Sequence, residues 1–350
     1  MNLDDLRALA RVDPHDARRV LAEFPAQCRR ARTLSATPAL AVRRPRVVIV
    51  AGMGGSAAGG DLLAACASDV VDVPILVHRG YGLPAVAGPD ALVLVASYSG
   101  DTAEALSAFD AAVARRVPAV ALTAGGALAE RAAARRVPRV ALPGGLMPRM
   151  ALGYLFLPAV ALLADAGVAV ATPADVDEAI AAVEALAPEL APERPAATNE
   201  AKRLALAIGD RLPAIYGGPG TATVAYRWKT DIEENAKTFA LAGALPEMNH
   251  NEIEAWQPPA AKDMHAIFLR DATEAPEIAR RFGIVRELIT SSAGGVSEAR
   301  GHGAGRLARL LTLTYLGQWT SYYLGVLRER DPWTVPILDE LKRRMRGPLP

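Results

Sequence analysis

The rhythm of apolar and polar positions changes at Val47. Before it, residues 1–45 are rich in Ala, Arg and Leu and carry both charge signs; they read as an N-terminal helical lead-in ending near the run RRPR. From Val47 onward, short β-branched runs alternate with Ala-rich amphipathic segments: VVIVA, a helix to Cys66, VPILVH, ALVLVAS, a helix to about Ala112, and VPAVALT. Strands that are apolar at every position and separated by helices predict a parallel sheet covered on both faces. The Gly- and Pro-rich passage ALPGGLMPRMALGYLFLP closes this block, a helical stretch follows, and the polar segment APERPAATNE, Ala191–Glu200, marks a boundary. The alternation then restarts with LPAIYG, the helical GPGTATVAYRWKTDIEENAK, strand HAIFLR, strand ELIT near Leu288, and a long helix from about Gly305 to Arg328. GMGGSAAGG after VVIVA and GGPGTATVA after PAIY share a strand, a glycine loop, a hydroxyl residue and a helix, which reads as a weak internal repeat of a doubly wound unit. The expected architecture is α/β: the lead-in 1–45, then two doubly wound domains, 46–190 and 191–350, each a parallel sheet flanked by helices.

Composition narrows the partners more than the fold. A length of 350 residues favours two cores over one, and 51% apolar with 22% charged residues is ordinary globular composition. Lys plus Arg (39) nearly cancels Asp plus Glu (38), so no net field directs the chain to nucleic acid or an anionic membrane, while a small anionic ligand stays compatible. The N-terminus lacks a signal-peptide pattern, and the longest apolar stretch, around Leu155 to Leu163, falls short of the roughly 18 residues needed to span a bilayer; a cytoplasmic location is expected. Cys28 and Cys66 stand far apart without metal-ligand spacing, which predicts buried structural thiols rather than a disulfide or a zinc site.

Two loops point to an anion. Where the first strand runs through Gly54 and Gly55 into a helix, the first helical turn has unpaired N–H groups, and Ser56 adds a hydroxyl. The strand ALVLVA ends in SYSGDT, placing Ser97, Ser99 and Thr102 around the start of the next helix. Three hydroxyls opposite a glycine loop suit a phosphate monoester held by O–H and N–H donors. A nicotinamide site is the rival reading of the same unit; Gly52, Gly54 and Ala57 match its glycine pattern only in part, and VPILVH ends in His78, followed by Arg79, rather than in a ribose-binding acid, although Arg79 could meet a 2′-phosphate.

The segment KTDIEENAKTFALAGALPEMNHNEIEAW concentrates Glu233, Glu234, Asn235, Lys237, Glu247, His250, Asn251 and Glu252. Lys229, Glu233 and Lys237 have the spacing of a solvated helix face, with Glu234 pointing elsewhere, and His250 falls in a loop after a Pro-containing connection. His15, His78, His265 and His302 read as structural or solvated.

Taken in order, GMGGSAAGG, SYSGDT, PRMALGY, EENAK, LPEMNHNEIEAW and DELK resemble the bifunctional phosphoglucose/phosphomannose isomerases of the sugar isomerase (SIS) superfamily, from about Val47 to Lys342. The resemblance implies two SIS-type domains and an aldose–ketose isomerase that joins glucose 6-phosphate or mannose 6-phosphate to fructose 6-phosphate through a cis-enediolate. It implies that Gly55, Ser56, Ser97, Ser99 and Thr102 contact the sugar phosphate, that Arg149 lies beside the reacting carbons, that Glu234 is the proton-transfer base, and that His250 helps open the ring. Lys342 matches a further acid/base position. The family's chemistry requires neither metal nor cofactor, and its histidine reaches the site from a partner subunit, which implies a homodimer. Competing readings are a non-catalytic sugar-phosphate-binding regulator, an isomerase of another sugar phosphate, and an amino-sugar transformation.

Overall fold

The computed structural model describes residues 1–345; residues 346–350 of the expected second domain lie outside the described residues. The lead-in folds as three short helices, α1 (Leu6–Val12), α2 (Ala17–Ala22) and α3 (Phe24–Ala31). Asp5 caps α1, and buried Asp13 accepts hydrogen bonds from the first N–H groups of α2, Ala17 N at 2.7 Å and Arg18 N at 3.1 Å. These helices are fastened to distant parts of the chain. The wholly buried Lys202 ammonium donates to Asp4 Oδ1 (2.9 Å) and Pro192 O (2.7 Å), and Tyr315 OH donates to Leu21 O (3.0 Å).

The first sheet is built from β1 (Ala36–Thr37), β2 (Val47–Gly52), β3 (Ile75–His78), β4 (Ala91–Ala96), β5 (Ala119–Thr123) and β6 (Arg139–Ala141). Helices α4 (Gly54–Ala67), α5 (Ala103–Ala114) and α6 (Gly126–Arg135) connect β2, β4 and β5 onward. The strand order is β1-β6-β5-β4-β2-β3, with all pairings parallel except the β1 edge. Every residue of β2 and β4 is buried, as their unbroken apolar runs require for central strands covered on both faces. Chain order reverses between β2 and β4, and at such a switch point the loops after the strands diverge and leave a crevice at their carboxyl ends.

Two helices, α7 (Leu152–Asp165) and α8 (Pro173–Leu190), lead out of the first sheet, the latter opened by a Thr172–Asp175 capping box. The second unit comprises α9 (Glu200–Ile208), β7 (Leu212–Gly217), α10 (Ala222–Ala236), β8 (Leu241–Ala244), β9 (Met264–Arg270), α11 (Pro276–Thr290), β10 (Gly295–Arg300), α12 (Arg306–Leu327) and α13 (Pro336–Met345). Its sheet has the order β10-β9-β7-β8, fully parallel, so it repeats the switch of the first sheet between β7 and β9. The fold is thus two doubly wound parallel-sheet units with a helical lead-in. Helix α12 is buried at every position from Leu307 to Val326 and packs against α8, α9 and α10, as a helix without a polar face must. Among the described residues, no helix is long and apolar enough to cross a membrane.

Two local expectations are corrected. ELIT is the last turn of α11 rather than a strand: Phe282, Val285 and Ile289 share its buried face while Leu288 is exposed, a helical spacing that a four-residue window hides. The strand comes later, as β10, in the more polar GVSEAR. Lys237 is not on the solvated face of α10 with Lys229 and Glu233. It ends the helix in the left-handed conformation (φ 51°), while Lys229 Nζ pairs with Glu233 at 2.7 Å.

Candidate active site

The first loop after β2 and the loop after β4 meet at their hydroxyls. Ser56 is buried in the first turn of α4, and its Oγ accepts a hydrogen bond from Tyr98 N at 3.1 Å. Ser97 is fully buried; its Oγ donates to Thr102 Oγ1 (3.0 Å) and accepts from Gly100 N (3.1 Å). Ser99 is exposed between them, its Oγ accepting from Asp101 N at 3.3 Å, and Thr102 precedes α5. No side chain caps the first turn of α4 or α5, so the amide dipoles of two helices that cover opposite faces of the sheet remain available at the same carboxyl end of its strands. The matching loop of the second unit is built differently: Thr221 Oγ1 is consumed by Gly218 N (3.0 Å) and Leu269 O (2.8 Å), which closes a tight turn.

Gly55 has a sharper role than opening a path for an anion. A Cβ built on it would fall 2.8 Å from both the N and the Cα of Arg149, so the absence of a side chain lets the turn Pro148–Met150 sit directly on α4. That contact joins the hydroxyl loops to Arg149, which is buried to 3% exposure.

The Arg149 guanidinium is held by both units. Nε donates to Asn235 Oδ1 (2.8 Å), Nη1 to Glu234 Oε2 (3.1 Å), and Nη2 to the carbonyls of Pro332 (2.7 Å) and Trp333 (2.8 Å). Four of the five guanidinium N–H groups are thereby used, leaving one on Nη1 on the Glu234 side. Burial lowers the Arg149 pKa, and the Glu234 and Asp231 carboxylates oppose that effect. Glu234 itself is partly exposed at 27%. Below it, Arg227 and Asp231 form a buried pair through Nε (2.9 Å) and Nη2 (2.7 Å), and Arg227 Nη2 also donates to Arg149 O. Burial pushes Asp231 up to about 6; Arg227 pulls it down and Glu234 pushes it further up. Lys237 Nζ donates to Glu234 O at 2.8 Å and also to Asp331 O; partial desolvation, then the Arg149 cation, brings its ammonium down to about 8.

The remaining candidates stand apart. His250 ends a 3₁₀ turn, Glu247–His250, beyond the edge strand β8, and is exposed; Lys342 is exposed on α13. Neither is hydrogen-bonded to Arg149 or Glu234. Arg79 is engaged elsewhere, paired with Asp61 and lying 5.9 Å from the Tyr226 ring centroid, at the edge of a crevice of about 130 Å³ between α4 and α10. Sequence reasoning missed Asn235, Arg227, Asp231 and Gln27 as supports of Arg149. Asn235 and Asp231 were visible as polar residues on an otherwise buried helix face, a signal masked by the charged residues around them.

Two flavodoxin-ordered parallel sheets, with hydroxyl loops at one switch point and a buried arginine paired with a partly exposed carboxylate between the units, define a protein of the SIS class. Residues 197–345 match the family described as bacterial phospho-glucose isomerase C-terminal SIS domain. The chain is 38% identical, over 85% of its length and 89% of the relative's, to the bifunctional phosphoglucose/phosphomannose isomerase of Caldicellulosiruptor bescii. It is 31% identical, over 85% of its length and 90% of the relative's, to the protein of the same name from Aquifex aeolicus. A glucose-6-phosphate isomerase like protein from Thermus thermophilus has the same fold, with a TM-score of 0.64 at 21% identity over 98% of this chain and 99% of that one. The chain belongs to the bifunctional phosphoglucose/phosphomannose isomerase family.

Proposed function

We propose that this protein interconverts glucose 6-phosphate and mannose 6-phosphate with fructose 6-phosphate through one cis-enediolate. The observation that carries the reading is the buried Arg149 fork facing the partly exposed Glu234 carboxylate, beside a hydroxyl-lined loop pair suited to phosphate. Gly55, Ser56, Ser97, Ser99 and Thr102 hold the phosphate through N–H and O–H donors. Held by that handle, the sugar presents C1 and C2 to Glu234. The carboxylate removes the proton from the carbon beside the carbonyl and returns it to its neighbour, a positioned transfer of the kind worth about 10²- to 10⁴-fold in rate. Charge develops on the C1 and C2 oxygens as the proton leaves, and the remaining Nη1–H of Arg149 stabilises it without moving a proton. His250 and Lys342 exchange protons with the ring oxygen and the anomeric hydroxyl as the ring opens and closes.

In this reading residues 46–190 supply binding, residues 191–350 supply the base, and the enzyme acts in the cytoplasm as a homodimer with shared sites. The exposure of His250, which has no hydrogen bond to Glu234 in its own subunit, supports delivery of the imidazole by a second copy. Helix α13 supplies surface for such a contact, since Ile337, Leu338, Leu341 and Met345 are exposed at helical spacing. The test is a coupled assay with chelator-treated protein and each aldose phosphate. Formation of fructose 6-phosphate from both is expected; absence of turnover from either aldose overturns the reading.

A further inference from the structure

The N-terminal helices reach Arg149 from two sides. On the backbone side, Gln27 of α3 is 2% exposed and has both ends of its amide engaged: Nε2 donates to Met150 O (2.9 Å) and Oε1 accepts from Gly153 N (2.7 Å). Those two groups bracket the bend between the Pro148–Met150 turn and α7. Neither the carbonyl nor the amide could be left unpaired inside the core without a penalty, so the glutamine satisfies a bend the helix ladder cannot. Gly153 admits it, because a Cβ there would lie 2.8 Å from Gln27 Oε1. On the guanidinium side, His15 stacks on Trp333 with centroids 5.9 Å apart and planes 19° apart, and its Nδ1 lies 3.3 Å from Asp331 Oδ2. Pro332 and Trp333 are the residues whose carbonyls receive Arg149 Nη2.

We propose that the N-terminal helical segment is a functional frame for the active site, with Gln27 as a positioning residue that fixes the turn carrying Arg149. Fastening the lead-in does not need Gln27, since Lys202–Asp4, Tyr315–Leu21 O and Arg30–Tyr154 OH already do that. What the glutamine adds is a fixed register between Met150 and Gly153, and through it the direction of the Arg149 fork. The hydrogen bonds of the phosphate loops, Ser56 with Tyr98 N and Ser97 with Thr102 and Gly100, use neither Met150 nor Gly153, so a loosened bend weakens the contact to the enediolate while ground-state binding through phosphate persists. The inference rests on the isomerase reading of Arg149 given above.

The test compares Gln27→Met, which keeps volume and loses the amide, with His15→Ala and with Tyr315→Phe as a control that cuts the lead-in away from Leu21 without touching the turn. For each, kcat and KM for fructose 6-phosphate are measured. Binding is measured for a five-carbon aldonate 5-phosphate, whose carboxylate mimics the enediolate charge, and for the alditol 5-phosphate of the same length, which keeps the phosphate and lacks the carboxylate. Misplacement of a stabilising group by about 1 Å costs up to about 10²-fold, so Gln27→Met should lower kcat and aldonate affinity by about 10-fold or more, with KM and alditol affinity held within about 2-fold. His15→Ala should lower kcat by about 3-fold with the same selectivity, and Tyr315→Phe should lower melting temperature with kcat held. Unchanged kcat in Gln27→Met, or equal loss of both ligands, overturns the inference. Should Gln27→Met fail to fold, the exposed His15 decides alone, and an unaltered kcat and aldonate preference in His15→Ala overturns it. A wild-type protein without turnover would instead overturn the isomerase reading, and the aldonate-to-alditol ratio would still report whether Gln27 acts on Arg149.

Discussion

Replacing Arg149 by Lys keeps one positive charge and removes the fork. In the native site the guanidinium makes hydrogen bonds to Asn235 Oδ1, Glu234 Oε2 and the carbonyls of Pro332 and Trp333, in directions set by a planar group. A lysine ammonium has three N–H groups on a single atom and cannot face all four of these acceptors at once, so at least one loses its donor. Each such bond to a charged group is worth about 1.5–3 kcal/mol, so the loss of stability is at least about 1.5–3 kcal/mol against a total that is ordinarily about 5–15 kcal/mol. Catalysis should suffer separately: removal of a preorganised stabiliser of developing negative charge typically costs about 10²- to 10³-fold in kcat. The two effects are read independently, by urea denaturation and by steady-state kinetics under conditions where the variant is folded. An Arg149→Lys protein with wild-type denaturation midpoint and wild-type kcat would refute both the packing argument and the role given to the guanidinium.

Gly55→Ala should shift the Pro148–Met150 turn, since the new methyl would lie 2.8 Å from backbone atoms that have no flexible side chain to yield; kcat should fall by about 10²-fold, measured by the coupled assay. His265 is buried with Nε2 at 2.9 Å from Ser297 Oγ and Nδ1 without a partner, and burial, then the Arg211 cation, holds its pKa at about 4 against 6.5 unfolded. Because the folded value is depressed, the unfolded chain binds the extra proton between those limits. The stability His265 confers is full above pH 6.5 and is lost as pH falls through 4, by roughly 3 kcal/mol in total. His265→Gln should flatten that acid limb in denaturation titrations at several pH values. The double variant Ile337→Glu, Leu341→Glu should convert the proposed dimer to monomer by light scattering and abolish turnover, because His250 would no longer reach a neighbouring site.

Much of the fold is legible because burial on two faces leaves a signature that needs no tertiary knowledge. VVIVA and ALVLVA are apolar at every position, and they are two adjacent interior strands of the first sheet. Loop chemistry is equally local: Ser56, Ser97 and Thr102 announce hydroxyls at helix starts before any packing is known. The readings that failed needed context beyond a short window. ELIT has the composition of a strand, and only the longer period through Phe282 and Val285 assigns it to α11. Lys237 obeys i, i+4 spacing but follows the last helical residue, so its side chain turns toward Asp331 and the carbonyls of α10. The supports of Arg149 were illegible for a different reason. Gln27, Asn235 and the Pro332–Trp333 carbonyls come from separate parts of the chain, and nothing about a glutamine in an amphipathic helix marks it as the partner of a bend at Met150.

The central claim is that one carboxylate, Glu234, carries a proton between adjacent sugar carbons. The direct measurement is isomerisation in heavy water by wild-type protein and by Glu234→Gln, following deuterium incorporation at C2 of the aldose phosphates alongside turnover. The account predicts deuterium in both glucose 6-phosphate and mannose 6-phosphate formed from fructose 6-phosphate by the wild type. In the glutamine variant it predicts loss of turnover and exchange by about 10²- to 10⁴-fold, with alditol phosphate binding retained. Unchanged exchange and turnover in Glu234→Gln would contradict it.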